Sequence, residues 1–516
     1  MSAHLTLDDL RRADESQDPD LVKLLAQLAE QPDEEHKPPL PEGALTFDTY
    51  LARIRDKKFR AKPLEEQAQW RIEIMKALEA PDAEVPLPAR IGAHEIIYGL
   101  WKDDRIYSRG ILLEIIATVP LVYGPWRALK QIFKEAEAQG DSEILGALAA
   151  RFDMAFSGAQ HSVSKATLGY LCRRGWRYLR RTAESLPICY ADVAVDFLAG
   201  YTDDGHWQNT WIANHVLHHE TKKYDRKKFK FGWRGPTNLL KNRAYSELWR
   251  RSPRPLFSLL ERAKSEHVRQ FAANALKADF RSSLREVEPE WVVRLVNVRS
   301  DAIDEFVVWI LDNVPRFEQS AFRELGLHDA VLRLFDSDSS SAQNYAAKYA
   351  RTHARDLPVN ELVRLANHSA SAVYKLALDL IQERDPRKEI GLEAWGQLLE
   401  TDHGRSVAEA ALRKHFGASE LTPKWFKARL FTNDYQVFNF IKKLLPQIHP
   451  FKKLGPDFFC DLIDSTDPSH NNASQILHLA YGQGLSQFDL NELDVEFLKR
   501  VAVHPFGSST LAGWID

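Results

Sequence analysis

A proline followed two positions later by an aromatic recurs in the second half of this chain, and that recurrence narrows the fold more than anything else in it. It occurs at Pro255/Phe257, Pro289/Trp291, Pro423/Trp425 and Pro456/Phe458, at steps of 34, 134 and 33 residues, the long step being close to four short ones. Three degenerate copies fit inside it: LHDAVLRLF around Val331, LPVNELVRLA at Pro358 and IGLEAWGQLL around Trp395. Proline suits the first turn of a helix, where its missing N–H would have no intrahelical partner anyway. Each copy runs on to a Ser/Asp/Asn-rich turn and a second apolar segment, such as VRQFAANAL, IDEFVVWIL, SAVYKLALDLI, YQVFNFIKKLL or ASQILHLAY. One helix pair cannot bury its apolar stripe alone, whereas pairs stacked at a fixed period build a continuous core. The pattern predicts an all-α chain whose residues 255–516 form an α-solenoid of about seven or eight helix pairs. Trp291, Trp395 and Trp425 are then packing residues, expected to be buried between pairs.

In this respect the chain resembles the HEAT/armadillo-type α-helical repeat superfamily, over roughly residues 250–516 and more loosely over 88–220. The resemblance is architectural. It implies a scaffold that binds proteins or nucleic acid; a few HEAT-like proteins are DNA glycosylases, which implies an enzymatic alternative. The step here is nearer 33 residues than the usual 40-odd, but the TPLHxA of ankyrin repeats and the W-x2-L-G-x2-Y of tetratricopeptide repeats are both absent.

The remaining chain divides by composition. Residues 1–44 read as a disordered acidic arm: residues 1–50 carry a net charge of about −8, and QPDEEHKPPLPEG is a proline-rich linker. One short helix is expected in the arm, with Asp18 as its cap, Pro19 in its first turn and Leu21, Leu24, Leu25 and Leu28 on one face. Residues 45–160 read as an N-terminal helical region, with Gly110, Gly124 and Gly140 as breaks. Its longest apolar run, GILLEIIATVPLVYG, is interrupted by Glu114 and Pro120 and is too short to span a bilayer. The N-terminus lacks a secretory signal pattern, and three scattered cysteines without a CxxC pairing argue for a reducing, cytoplasmic setting. The final LAGWID has no closing polar cap, which leaves room for a further module beyond Asp516.

Residues 161–254 form a basic, aromatic central region. If Ser164 to Ala183 is one helix capped by Ser162 or Ser164, Leu168, Leu171, Cys172, Gly175 and Leu179 share one stripe. Arg173, Arg174, Arg177, Arg180 and Arg181 fall opposite, around Tyr170, with Trp176 and Tyr178 on the borders. Guanidinium groups bind carboxylates and phosphates bidentately and stack on π faces, so this face fits a polyanion. It also fits a solvated outer face paired with acidic neighbours. Downstream, KKYDRKKFKFGWRG interleaves Lys227, Lys228, Lys230 and Arg234 with Trp233 and other aromatics, a combination that neutralises phosphates and stacks on bases.

In NHVLHHE, His215 and His219 stand one helical turn apart, the weak beginning of a zinc site. Neither HExxH nor HxxEH is present, so the general base of a zinc peptidase is missing and no metal or other cofactor is expected. DSDSSS at Asp336 departs from a calcium loop at Ser341 and Ala347. GxGxxG after a strand, GxxxxGK[ST] and GxSxG are all absent. The sequence therefore points to a non-enzymatic repeat scaffold whose basic centre binds nucleic acid or an acidic protein partner. A HEAT-like nucleic-acid-processing enzyme, a metal-dependent hydrolase and a pure protein–protein adaptor are the alternatives.

Overall fold

The computed structural model describes residues 4–32, 52, 54–79, 89–158, 163–204, 210–219, 224–225, 230–231, 240–489 and 494–503. The fold is all-α. The sole extended pairing among the described residues sets Tyr224 opposite Phe231 and Asp225 opposite Lys230, antiparallel. The chain divides into two units, Met1–Arg316 and Phe317–Asp516, so the boundary falls inside the stretch assigned above to the helical array.

The first unit opens with α1 (Leu7–Glu15), α2 (Leu21–Glu30), α3 (Lys57–Arg60) and α4 (Leu64–Glu79). It continues through α5 (Ala89–Asp103), α6 (Ile106–Thr118), α7 (Tyr123–Gln139), α8 (Ser142–Ser157), α9 (Lys165–Ser185), α10 (Tyr190–Ala199) and α11 (Ile212–His218). After α12 (Ser246–Trp249) come two helix pairs, α13 (Arg254–Arg262) with α14 (Glu266–Asp279), and, after the short α15 (Arg281–Arg285), α16 (Pro289–Val296) with α17 (Asp301–Asn313). The hub is α8, which packs against α6, α7, α9, α10 and α11. Asp141 caps it by accepting the Ile144 N–H, and Arg109 binds both Asp141 and Glu143 at 2.7 Å, fixing its N-terminus to α6. A Cβ on Gly146 would lie 2.6 Å from the Asp196 backbone carbon, so glycine is what lets α8 and α10 approach so closely.

In the second unit, five pairs follow one another. They are α18 (His328–Arg333) with α19 (Ser340–His353), α20 (Val359–Ala366) with α21 (Ser371–Gln382), and α22 (Gly391–Leu399) with α23 (Arg405–His415). Then come α24 (Pro423–Leu430) with α25 (Tyr435–Ile448) and, after α26 (Phe451–Leu454), α27 (Pro456–Asp464) with α28 (Ala473–Leu477); α29 (Val495–Val503) ends the described chain. Contacts between pairs run α19 to α21, α20 to α22 and α23 to α25. Ion pairs such as Arg351–Asp379, Arg355–Glu383 and Lys427–Asp461 join successive pairs at 2.5–2.6 Å.

The structure corrects several expectations. Residues 4–32 are not a disordered arm: they hold two helices, and α1 and α2 pack on α5, with α2 also against α6. Leu10, Leu21, Leu25 and Leu28 have no exposed surface, which is the apolar burial that outweighs the acidic composition. Thr6 begins α1 with a reciprocal capping box to Asp9. The second helix starts at Leu21, later than predicted, because the Asp18 carboxylate accepts the Asp20 N–H in a preceding turn. Gly110 lies inside α6 and Gly124 inside the first turn of α7; only Gly140 is a break, a left-handed cap at φ 76°. No single helix among the described residues is long and apolar enough to cross a membrane; α6 and α7 approach that composition only as a pair bent by 119°.

Trp425 is a further correction. Trp291 and Trp395 are buried, and their indole N–H groups donate to Glu261 and to the Pro386 carbonyl. Trp425 is only half-buried, and the adjacent Phe426, with no exposed surface, holds the core position. With proline as the first residue of α16, α24 and α27, the aromatic stands third and flanks the core, while the fourth residue (Val292, Phe426 or Phe459) is fully inside. Phe426→Ala should therefore cost about 3–5 kcal/mol in urea unfolding, and Trp425→Ala less than about half of that. Equal losses would contradict this register.

Candidate functional site

The arginine helix forms as its pattern dictates. Leu168, Leu171, Cys172, Gly175 and Leu179 of α9 are buried, and the helix packs on α8, α10 and α11. Gly175 sits where a Cβ would come within 2.9 Å of Ile212 Cδ1, so its smallness brings α11 close. On the outer face Arg173, Arg177, Arg180 and Arg181 are exposed and Arg174 is half-buried. Tyr170 is 44 % exposed, with its hydroxyl accepting from Arg174 Nη1 at 3.2 Å. Trp176 and Tyr178 lie half-buried on the two borders.

The five arginines are not equivalent. Arg174 is paired with Glu137 of α7. Arg173 lies 5.3 Å over the Trp211 ring, a cation–π contact. Arg180 reaches Glu184, one turn on, at 3.7 Å, a weak exposed pair. Arg177 and Arg181 have no carboxylate partner among the described residues. Of the downstream loop, Lys227, Lys228, Trp233 and Arg234 lie outside the described residues, and Lys230 is described by its backbone pairing to Asp225 alone.

The histidines belong to α11, which lies against α9. His215 is 4 % exposed, with Nδ1 2.9 Å from the Trp211 carbonyl. Trp176 packs against both candidate metal ligands, at 4.8 Å from His215 and 5.5 Å from His219, and the two imidazole centroids are 6.1 Å apart. His218 is buried elsewhere, 6.1 Å from the His267 ring; burial pushes its pKa down to about 3, with His267 adding to the effect. Among the described residues, no three His, Cys, Asp or Glu side chains are grouped to hold a metal ion.

Asp153, which the sequence pattern did not single out, organises this region. It is completely buried in α8 and accepts the backbone N–H groups of Trp211 and Ile212 at 2.6 and 2.7 Å and the Tyr201 hydroxyl at 2.6 Å. Those N–H groups are donors at the start of α11 that no intrahelical carbonyl could satisfy. Burial nonetheless dominates and raises the Asp153 pKa to about 6, against the opposing effect of these hydrogen bonds. Burial and the neighbouring Asp153 carboxylate push the Cys172 thiol and the Tyr201 phenol well up, so neither is an activated nucleophile. The one available sequence signal was a single acid in AARFDMAF, a stretch apolar but for Arg151 and Asp153.

No family model matches this chain, and comparison with curated proteins finds no significant match.

Asp153→Ala should cost about 3–5 kcal/mol, since it strands three buried donors. The titration has a definite sign. A folded pKa above the ordinary value of 3.8 means this group's contribution to stability is full below that value and is lost as pH rises through about 6. Chemical denaturation of the wild type between pH 4 and 6 should show that decline, and Asp153→Asn should flatten it.

Proposed function

We propose that the chain is a non-enzymatic, all-α repeat scaffold, an α-solenoid of stacked helix pairs with a period near 33 residues, whose α9 face binds a polyanion. Nucleic acid is the leading partner and an acidic protein surface the second. The observation that carries the reading is the pair Arg177 and Arg181, one turn apart, exposed and without a carboxylate partner among the described residues. Paired surface arginines are ordinary, and Arg174 with Glu137 is one; two neighbouring guanidiniums left without acids are donors available to phosphates. Exposed Tyr170 beside Arg173 and Arg174 adds a π face for a base. The repeat part of the reading is supported by leading helices that start at Arg254, Pro289, His328, Val359, Gly391, Pro423 and Pro456, each followed by a partner helix. A cytoplasmic location accords with three unbridged cysteines, of which Cys189 is exposed.

Arg177→Glu/Arg181→Glu tests the interface more cleanly than changes at Arg173 or Arg180, which have local contacts to lose. Fluorescence anisotropy with a labelled single-stranded oligonucleotide should show wild-type binding at low salt that weakens steeply with added salt. The double variant should bind at least about tenfold more weakly and lower the slope of log affinity against log salt by about two units, with its helical circular dichroism intact. An unchanged slope would remove these arginines from the interface. Wild type that ignores the oligonucleotide but is retained by an acidic protein column would favour the second partner.

A further inference from the structure

A recess in the first unit is lined by residues of α6, α8 and α10 and by none of the arginine helix α9. It is a groove of about 410 Å³ with Leu113, Ile116, Ala147 and Met154 among its apolar walls, and its size falls within the usual range for small-molecule sites. Six charged residues also line it, and half of them are already committed. Glu143 is held by Arg109 at 2.7 Å, and Asp196 by Ser142 at 2.6 Å and by Arg262 at 2.9 Å. Two cations remain without a carboxylate among the described residues, Arg151 and Lys264, against the single uncommitted acid Asp204.

Arg151 is the unusual member. Its Nη1 and Nη2 donate to the Ala117 and Val119 carbonyls at the end of α6, at 3.0 and 3.3 Å. That uses two of five donors, and Nε is buried without a partner among the described residues. Burial pulls its pKa down, and no acid among the described residues opposes that effect. A largely buried guanidinium is costly unless its charge is met, and capping two carbonyls meets it only in part. The backbone contacts hold the group rigidly at the groove wall, leaving its remaining Nη hydrogens as fixed donors for an anion.

We infer that this groove binds a small molecule with an apolar body of a few carbons and one carboxylate or similar anionic head, the head on Arg151 with Lys264 at the rim and the body against Leu113, Ile116 and Met154. The site is separate from the polyanion face, so either can fail without the other.

Three probes of equal length decide it: hexanoate, hexan-1-ol and hexylamine, titrated into the full-length chain by calorimetry and by saturation-transfer NMR. Hexanoate should bind saturably, and the alcohol and amine at least about tenfold more weakly. Arg151→Met should abolish hexanoate binding. Because that change also removes the cap on α6 and could unfold the unit, Lys264→Glu at the exposed rim and Ala147→Leu, which fills the groove, serve as independent variants. Each should weaken hexanoate several-fold with circular dichroism unchanged. Absence of saturable hexanoate binding, equal binding of the alcohol, or binding indifferent to both Lys264→Glu and Ala147→Leu would overturn the proposal and leave Arg151 as a helix cap alone.

Discussion

The buried carboxylate of Asp153 is the contact on which the arrangement of the central region depends. A seven-residue helix such as α11 has too few internal hydrogen bonds to be stable by itself, and its first N–H groups need acceptors from elsewhere. Asp153 supplies them from the hub helix α8, at 2.6–2.7 Å. The consequences pass outward residue by residue. Trp211, fixed through its backbone, presents the ring on which Arg173 lies; Ile212 packs at the Gly175 notch; and His215 and His219 rest on Trp176. The position of at least one arginine on the outer face is thus set by an acid in the core.

The same device recurs. Asp203 accepts from Ser265 Oγ and the Glu266 N–H at the start of α14, and Glu266 in turn accepts from Ser300 Oγ and the Ala302 N–H at the start of α17. In the second unit Glu400 accepts from the Thr432 hydroxyl, which holds the turn ahead of α25, while Asp434 caps that helix locally. A cap drawn from an earlier segment satisfies helix-terminal donors as a local cap does, typically worth about 1 kcal/mol, and it also fixes one helix start relative to that segment. Asp203, which in sequence is merely half of an Asp-Asp pair in a loop, gains its role only from a residue more than sixty positions away.

How much of this could be read from the sequence follows from the reach of each interaction. The core stripe and arginine face of α9 were legible because helical periodicity is local, and all five apolar positions are buried as that periodicity requires. The Pro-x-aromatic pattern located helix starts well but misassigned the core at Trp425, because residues three and four of a helix differ by one step of about 100° and the larger side chain drew the assignment. The leucine spacing did show α2, but acidic composition concealed α1 and the packing of both helices on the rest of the unit, since buried Leu10, Leu21, Leu25 and Leu28 outweigh charges that remain in water. Asp153 was illegible: its acceptor role needs Tyr201, Trp211 and Ile212, none of which is near it in sequence. The histidine helix showed its i, i+4 spacing, but not that a tryptophan from α9 would press against both rings.

The ion pairs that stitch successive helix pairs together in the second unit bear on how this part of the chain comes off the ribosome. Arg351 and Asp379, Arg355 and Glu383, and Asp336 and Arg364 are each 28 residues apart, and Lys427 and Asp461 are 34 apart. These bonds close a short loop of recently made chain rather than waiting for a distant segment, so contact order stays low and folding is fast relative to elongation. Each nascent pair can dock as the next one clears the exit tunnel. The apolar surface uncovered at any moment is then about one helix pair's worth, which limits the interval in which a half-made chain can aggregate.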